Sequence, residues 1–131
     1  MVSILIVSHS KEIAAGTKKL AEQMKQGDVE ILAVGGTKEG EIGTDPDAIY
    51  ASLKKINKED GVIVLADLGS AVMNINMIID RFDEDTKKKI ILADAPIVEG
   101  AIFATVEASI GEKLSNIVSS IESPNVIKKK Q

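Results

Sequence analysis

His9 is the only histidine in the 131 residues. It stands one residue beyond Ile4-Leu5-Ile6-Val7, an apolar run rich in β-branched residues that reads as a strand buried on both faces. An imidazole at the carboxyl end of a strand is suited to acid–base or nucleophilic work near neutral pH. A carboxylate occupies the matching place after a second such run: Gly61-Val-Ile-Val-Leu-Ala66 ends in Asp67. A carboxylate that accepts a hydrogen bond from one imidazole nitrogen fixes the tautomer and leaves the other nitrogen free as a nucleophile. Its charge also favours the imidazolium that forms or departs in transfer chemistry. If Asp67 bonds the Nδ1–H, the nucleophile is Nε2. Ser10 and Ser70 stand where helical patterns begin, and the first amides of a helix can hold an anion such as a phosphoryl group. Gly35, Gly36 and Gly69 allow close backbone approach. The candidate phosphate-holding set is Ser10, Gly36, Thr37, Gly69 and Ser70.

Each of these residues also has a plain structural reading. A lone histidine at a strand end can cap a helix or face solvent. Asp67 before Leu68-Gly69-Ser70 can be a turn residue, and Gly35-Gly36-Thr37 can be only a turn. Met73 and Met77 read as packing.

The elements that must position His9 and Asp67 alternate regularly along the chain. Strands are expected at 4–7, within the stretch 2–9, and at 29–34, 61–66 and 90–93, with Glu30 marking the second as an edge. Helices are expected from Ser8 or Ser10 to about Gln26, from Asp45-Pro46, from Ser70 to Asp80-Arg81, and from about Ile97 to Ile121 with a break near Gly111. Their predicted inner faces are Ile13, Thr17, Leu20 and Met24; Ile49, Leu53 and Ile56; Val72, Ile75, Ile79 and Phe82; and Ile102, Val106 and Ile110 followed by Leu114, Ile117 and Ile121. The longest loop, 35–44, holds four glycines and no regular period, and such loops are usually functional or mobile. The alternation implies an α/β fold: one open, doubly wound, mostly parallel sheet in the order 2-1-3-4, with helices on both faces. That order makes strands one and three neighbours and brings His9 to Asp67 at the switch point, where ligands bind in such sheets.

Composition narrows the classes of function. A net charge of −4 and 2% aromatic residues argue against a phosphate-backbone binder and against a base-stacking platform, so nucleic acid is not expected as a partner. The chain lacks cysteine, which removes disulfides, a thiolate nucleophile and cysteine metal sites, and no metal site is expected. The longest uncharged run, Leu68 to Ile79, has twelve residues, against the roughly 20 needed to span a bilayer. No signal-peptide pattern opens the sequence, and a cytoplasmic, membrane-free location is expected. Neither G-x-x-x-x-G-K-[ST] nor G-x-G-x-x-G is present. A phospho-receiver domain would need an acidic pair after strand one, where this sequence has Ser8-His9-Ser10.

Four segments at the ends of strands or in the loops between elements, Val7-Ser-His-Ser10, Ile42-Gly-Thr-Asp45, Ala66-Asp-Leu-Gly-Ser-Ala71 and Ala95-Pro-Ile-Val-Glu-Gly100, together resemble the phosphotransferase subunits of bacterial phosphoenolpyruvate-dependent dihydroxyacetone kinases. Those subunits share the fold of the mannose-type IIA domains of the sugar phosphotransferase system. The resemblance extends over essentially the whole chain, read as one domain, 1–131. It implies that His9 is transiently phosphorylated and that Asp67 orients its ring. The phosphocarrier protein HPr would be the donor. The acceptor would be ADP on the kinase's nucleotide-binding subunit, with ATP and Mg²⁺ belonging to that partner and no cofactor on this chain. The sequence ends after one domain, so the carrier domains fused to some relatives are expected as separate proteins. Related domains imply a homodimer. Two other readings stay open: a mannose-type sugar IIA domain, and a non-catalytic flavodoxin-like interaction domain.

Overall fold

The computed structural model of the protein describes residues 1–130. Four strands, β1 (Ser3–Ser8), β2 (Ile31–Gly35), β3 (Val62–Ala66) and β4 (Ile90–Leu92), form one sheet in the order β2-β1-β3-β4. Every pairing is parallel, as the expected topology requires. The register aligns Val7 with Val34 on one side and with Ala66 on the other. His9 and Asp67 therefore leave the same edge of the sheet from neighbouring strands.

The helices are α1 (Lys11–Glu22), α2 (Pro46–Lys55), α3 (Gly69–Ile79), a one-turn α4 (Glu84–Lys87), α5 (Ile97–Ser109) and α6 (Leu114–Ile121), followed by a 3₁₀ turn at Pro124–Ile127. Ser10 caps α1, its hydroxyl accepting from the Ile13 amide at 3.2 Å. Asp45 caps α2, with Pro46 in the first turn. Gly111, at φ +82, makes the expected break between α5 and α6. The turn at α4 was not legible: a single capped turn, with Asp83 accepting from the Thr86 amide, has no hydrophobic period to read. α1 ends at Glu22 rather than near Gln26.

Alternation along the buried strands divides the interior in two. Ile4, Ile6, Ile63 and Leu65 face α1, α5 and α6, while Leu5, Val7, Val62 and Val64 face α2 and α3. On the second side Tyr50 packs against Phe82, ring centroids 5.5 Å apart.

The inner faces of two helices, α1 and α5, differ from the sequence expectation, and on α3 the reading of two methionines does. α1 buries Ala14, Thr17 and Ala21, while Ile13, Leu20 and Met24 are each about half exposed. α5 buries Gly100, Ala101, Ala104, Thr105 and Ala108, and leaves Phe103, Val106 and Ile110 outward. On α3 the expected Ile75 is buried and Ile79 and Phe82 pack against the core, together with Ala71 and Ile78, but Met73 and Met77, expected to pack, are 67% and 64% exposed. For α1 and α5 the physical reason is volume. The sheet face beneath them is filled with Ile and Leu, and these two helices lie close enough to it that they present small side chains. A Cβ on Gly100 would meet Leu65 Cδ2 at 2.8 Å, which shows how near α5 approaches β3. For α2 and for Ile117 and Ile121 of α6 the expectation holds.

In urea unfolding, Ala104→Leu should cost about 1–3 kcal/mol through overpacking, whereas Met77→Ala should stay within about 0.5 kcal/mol of wild type. The opposite ranking would put the large side chains inside.

Candidate functional site

β1 and β3 end side by side, and the turn after each begins with a polar residue. Asp67 Oδ1 lies 2.9 Å from His9 Nδ1. The same carboxylate reaches three further donors: the Ser8 hydroxyl at 2.6 Å and the His9 amide at 3.1 Å, both to Oδ2, and the Leu68 amide at 2.8 Å to Oδ1. Ser8 is fully buried and in turn accepts from the Ser10 amide at 3.0 Å. Ser8 is the functional residue that sequence reasoning missed. Its signal was a hydroxyl at the inner end of a strand that is otherwise apolar from Ile4 to Val7.

A carboxylate can only accept, so the proton of the His9–Asp67 bond sits on Nδ1. In the neutral ring Nε2 then carries the lone pair, and the Ser70 hydroxyl, 2.5 Å away, donates to it. Nε2 is thus covered by one hydroxyl, and the His9 side chain is 18% exposed. Ser70 lies in the first turn of α3, whose N-cap residue, Leu68, provides no side-chain cap. The first amides of α3 and its dipole are left for an anion arriving beside Nε2. Gly69 has open space where a Cβ would stand.

The other candidate residues are engaged locally. The Ser10 hydroxyl caps α1 and lies 3.3 Å from Glu12 Oε2. Gly36, at φ +78, and Thr37 build the turn of the long loop: the Thr37 amide donates to the Glu41 carbonyl at 2.9 Å, and the Glu41 amide to Thr37 Oγ1 at 3.1 Å. The loop still adjoins the site, because the Gly43 amide donates to the His9 carbonyl at 2.8 Å and Thr44 accepts from Asn74 of α3. The structure therefore gathers His9, Asp67, Ser8, Gly69 and Ser70, and leaves Ser10, Gly36 and Thr37 to shape the turns around them.

Residues 3–118 match the model of the EIIA-man family, described as the PTS system fructose IIA component. The chain belongs to the EIIA-man family. It is 35% identical over 119 residues to the phosphotransferase subunit DhaM of the PTS-dependent dihydroxyacetone kinase of Lactococcus lactis, covering 91% of this chain and 92% of that one. It is 36% identical to the phosphoryl donor subunit DhaM of PEP-dependent dihydroxyacetone kinase 1 of Listeria innocua, over 91% of both chains. It is 37% identical to the corresponding subunit of Providencia stuartii, where the alignment takes in all of this chain but only 28% of the relative's length. A crystal structure of a protein of unknown function superimposes with a TM-score of 0.84 at 36% identity, over 93% of each chain. Among the described residues no helix is long and apolar enough to cross a membrane.

In this EIIA-man domain the four donors around Asp67 also set its electrostatics. Burial raises the carboxyl pKa, but the hydrogen bonds from Ser8, the His9 ring, the His9 amide and the Leu68 amide outweigh it and hold the group at about 2, against an ordinary 3.8. Asp67 is therefore ionised throughout the neutral range. A carboxylate whose pKa is lower in the folded state stabilises the fold fully above its unfolded value, and that stabilisation is lost as pH falls from about 4 through about 2. After allowing for solvent screening it amounts to on the order of 1 kcal/mol. The difference in urea-unfolding free energy between wild type and Asp67→Asn should shrink by that amount across this window. A difference that stays constant would show that the carboxylate gains nothing from its donors.

Proposed function

We propose that the protein relays phosphoryl groups through Nε2 of His9 as the phosphotransferase subunit of a phosphoenolpyruvate-dependent dihydroxyacetone kinase. The observation that carries this reading is the orientation of His9: Asp67 fixes the proton on Nδ1, and the lone pair of Nε2 points at a hydroxyl beside an uncapped helix N-terminus. The relatives' dihydroxyacetone-kinase names support the branch of the family.

In the first half-reaction the Nε2 lone pair attacks the phosphorus carried by the phosphocarrier protein HPr. The donor's N–P bond breaks, and its electron pair stays on the donor ring. The His9 ring gains cationic character, which the Asp67 carboxylate offsets. Ser70 gives up its bond to Nε2, and its hydroxyl and the first amides of α3 take the phosphoryl oxygens. In the second half-reaction a terminal oxygen of ADP attacks the same phosphorus, the N–P bond breaks, and the pair returns to Nε2. The ADP, and the ATP formed from it with Mg²⁺, belong to the nucleotide-binding subunit, and this chain supplies no cofactor or metal. Transfer from one histidine to another is nearly isoenergetic, so what the site contributes is positioning. A cytoplasmic location belongs to the same reading.

A homodimer is also part of it. Ile13 and Leu20 on α1 with Met24 just after it, and Phe103 and Val106 on the adjacent α5 with Ile110 at its C-cap, form the apolar surface that a second copy would cover. Gly16, exposed within α1 with nothing within 4 Å of a Cβ position, leaves room for close approach. Leu20→Asp should lower the sedimenting mass from dimer to monomer, and an unchanged mass would remove α1 from the interface.

Intact-mass spectrometry at neutral or alkaline pH tests the relay. After incubation with phosphoenolpyruvate, the general phosphotransferase enzyme and HPr, the protein should gain one phosphoryl group, and lose it only when ADP and the nucleotide-binding subunit are both added. His9→Ala should take none. Asp67→Asn should label at least about 100-fold more slowly, because an amide turned toward Nδ1 selects the tautomer with its proton on Nε2. Loss of the label to a sugar-specific IIB domain instead would make the chain a sugar IIA, and no label at all would leave an interaction domain.

A further inference from the structure

Two of the buried hydroxyls in this fold serve the backbone. Ser3 donates to the Asn57 carbonyl at 2.7 Å, and Thr105 to the Ala101 carbonyl at 2.7 Å. Ser8, fully buried at the end of β1, gives its proton to a carboxylate instead, Asp67 Oδ2 at 2.6 Å. The direction of that proton is forced. An amide can only donate, and the Ser10 amide bonds Ser8 Oγ at 3.0 Å, so the hydroxyl accepts there and its single proton is left for Asp67. Ser10 is the N-cap of α1. One buried hydroxyl thus joins the start of that helix to the carboxylate that follows β3.

What Ser8 does for Asp67 follows from where the other donors sit. Oδ1 lies 2.9 Å from His9 Nδ1 and 2.8 Å from the Leu68 amide. Oδ2 meets the Ser8 hydroxyl and, at 3.1 Å, the His9 amide. The terminal torsion of an aspartate is soft and roughly two-fold, so bonds at both oxygens are needed to set the plane of the carboxylate. Without Ser8, Oδ2 keeps only the longest of the four bonds, and the plane can turn about Cβ–Cγ. That rotation takes Oδ1 away from the Nδ1–H, whose bond selects the tautomer. Charge points the same way. Burial works against the ionised form of Asp67, and among the bonds that bring its pKa down to about 2 the one from Ser8 contributes most.

We propose that Ser8 is a positioning residue of the transfer reaction: its hydroxyl sets the plane of the Asp67 carboxylate and, through it, the tautomer and heading of the His9 ring. It acts only through Asp67 and makes no contact with the phosphoryl group. This inference rests on the relay proposed above.

His9 is the only histidine, so the nitrogen NMR spectrum of isotopically labelled histidine reports this ring alone, with no partner protein present. At a pH where the ring is neutral, wild type should show Nδ1 protonated and Nε2 bare, and Ser8→Ala should draw the two signals toward each other. Phosphoryl acceptance from phosphorylated HPr should be about tenfold slower at saturation in Ser8→Ala, with KM within about twofold of wild type. Ser8→Thr, which keeps the hydroxyl, should restore both the spectrum and the rate. Ser8→Cys, close in size with a weaker donor, should fall between the two, and it puts the same question if alanine unfolds the chain. In the Asp67→Asn background, Ser8→Ala should slow acceptance by less than about twofold more. A second loss of the same size on top of Asp67→Asn would overturn the inference. So would equal losses in the alanine and threonine variants with an unchanged spectrum, which would reduce Ser8 to packing. A wild type that relays normally beside alanine and cysteine variants with its spectrum and rate overturns this inference alone, whereas a wild type that accepts no phosphoryl group overturns the relay and this inference together.

Discussion

The Asp67 carboxylate is the joint between the sheet and its chemistry. Two oxygens offer about four lone-pair directions, and here four protein donors meet them: a hydroxyl, a ring nitrogen and two backbone amides. Ser8 and the His9 amide tie the turn after β1 to the turn after β3, and the Leu68 amide starts the path into α3. Because every donor favours the ionised form, the charge persists at neutral pH, and the tautomer of His9 follows from it. Loss of the carboxylate would leave Ser8, which is fully buried, with its hydroxyl proton unpaired, a penalty of about 1–3 kcal/mol.

What surrounds this joint suits the exchange between macromolecules proposed above. A groove of about 450 Å³ lined by Lys88, Ile91, Leu114, Val118 and Glu122 includes no member of the His9 cluster. His9 Nε2 instead lies at the carboxyl end of the sheet under a single serine hydroxyl, between a folded glycine-rich loop and a helix without charge. Gly36, Gly40 and Gly43 all take positive φ values, which lets the loop close on itself and meet the His9 carbonyl. Loop and helix are joined by the Asn74–Thr44 hydrogen bond, so the two flanks of the site are held to each other as well as to His9.

The strands, their order and the His9–Asp67 pair were legible because each depends on a local signal: continuous β-branched runs, abrupt polar ends and the alternation of strand with helix. Helix orientation was not. The rule that the largest apolar side chains face inward placed Ile13, Leu20, Val106 and Ile110 in the core, where the structure puts Ala14, Ala21, Ala104 and Ala108. That rule considers one helix at a time, whereas the space under a helix is set by the side chains of the sheet beneath it. Ser70 was legible as a helix start but not as the partner of Nε2, because the first turn of α3 had to be built before its hydroxyl could be aimed. The twelve-residue uncharged run was noticed only for being too short to cross a membrane. The exposure of Met73 and Met77 within it is a property of the fold.

The register of β1 against β3 has a consequence for how the sequence can drift. Val7 is paired with Ala66, and the His9 and Asp67 side chains emerge just beyond that pair. Their separation derives from the spacing of adjacent strands, about 4.8 Å in any sheet, rather than from the particular aliphatic residues packed beneath. Ile, Val and Leu can exchange for one another through much of the interior, within the volume limits of a close-packed core, without moving one reactive group relative to the other. Such a site tolerates extensive turnover of its supporting residues while the backbone lattice keeps its geometry. A solved neighbour keeps the same backbone, with a TM-score of 0.84, at 36% identity.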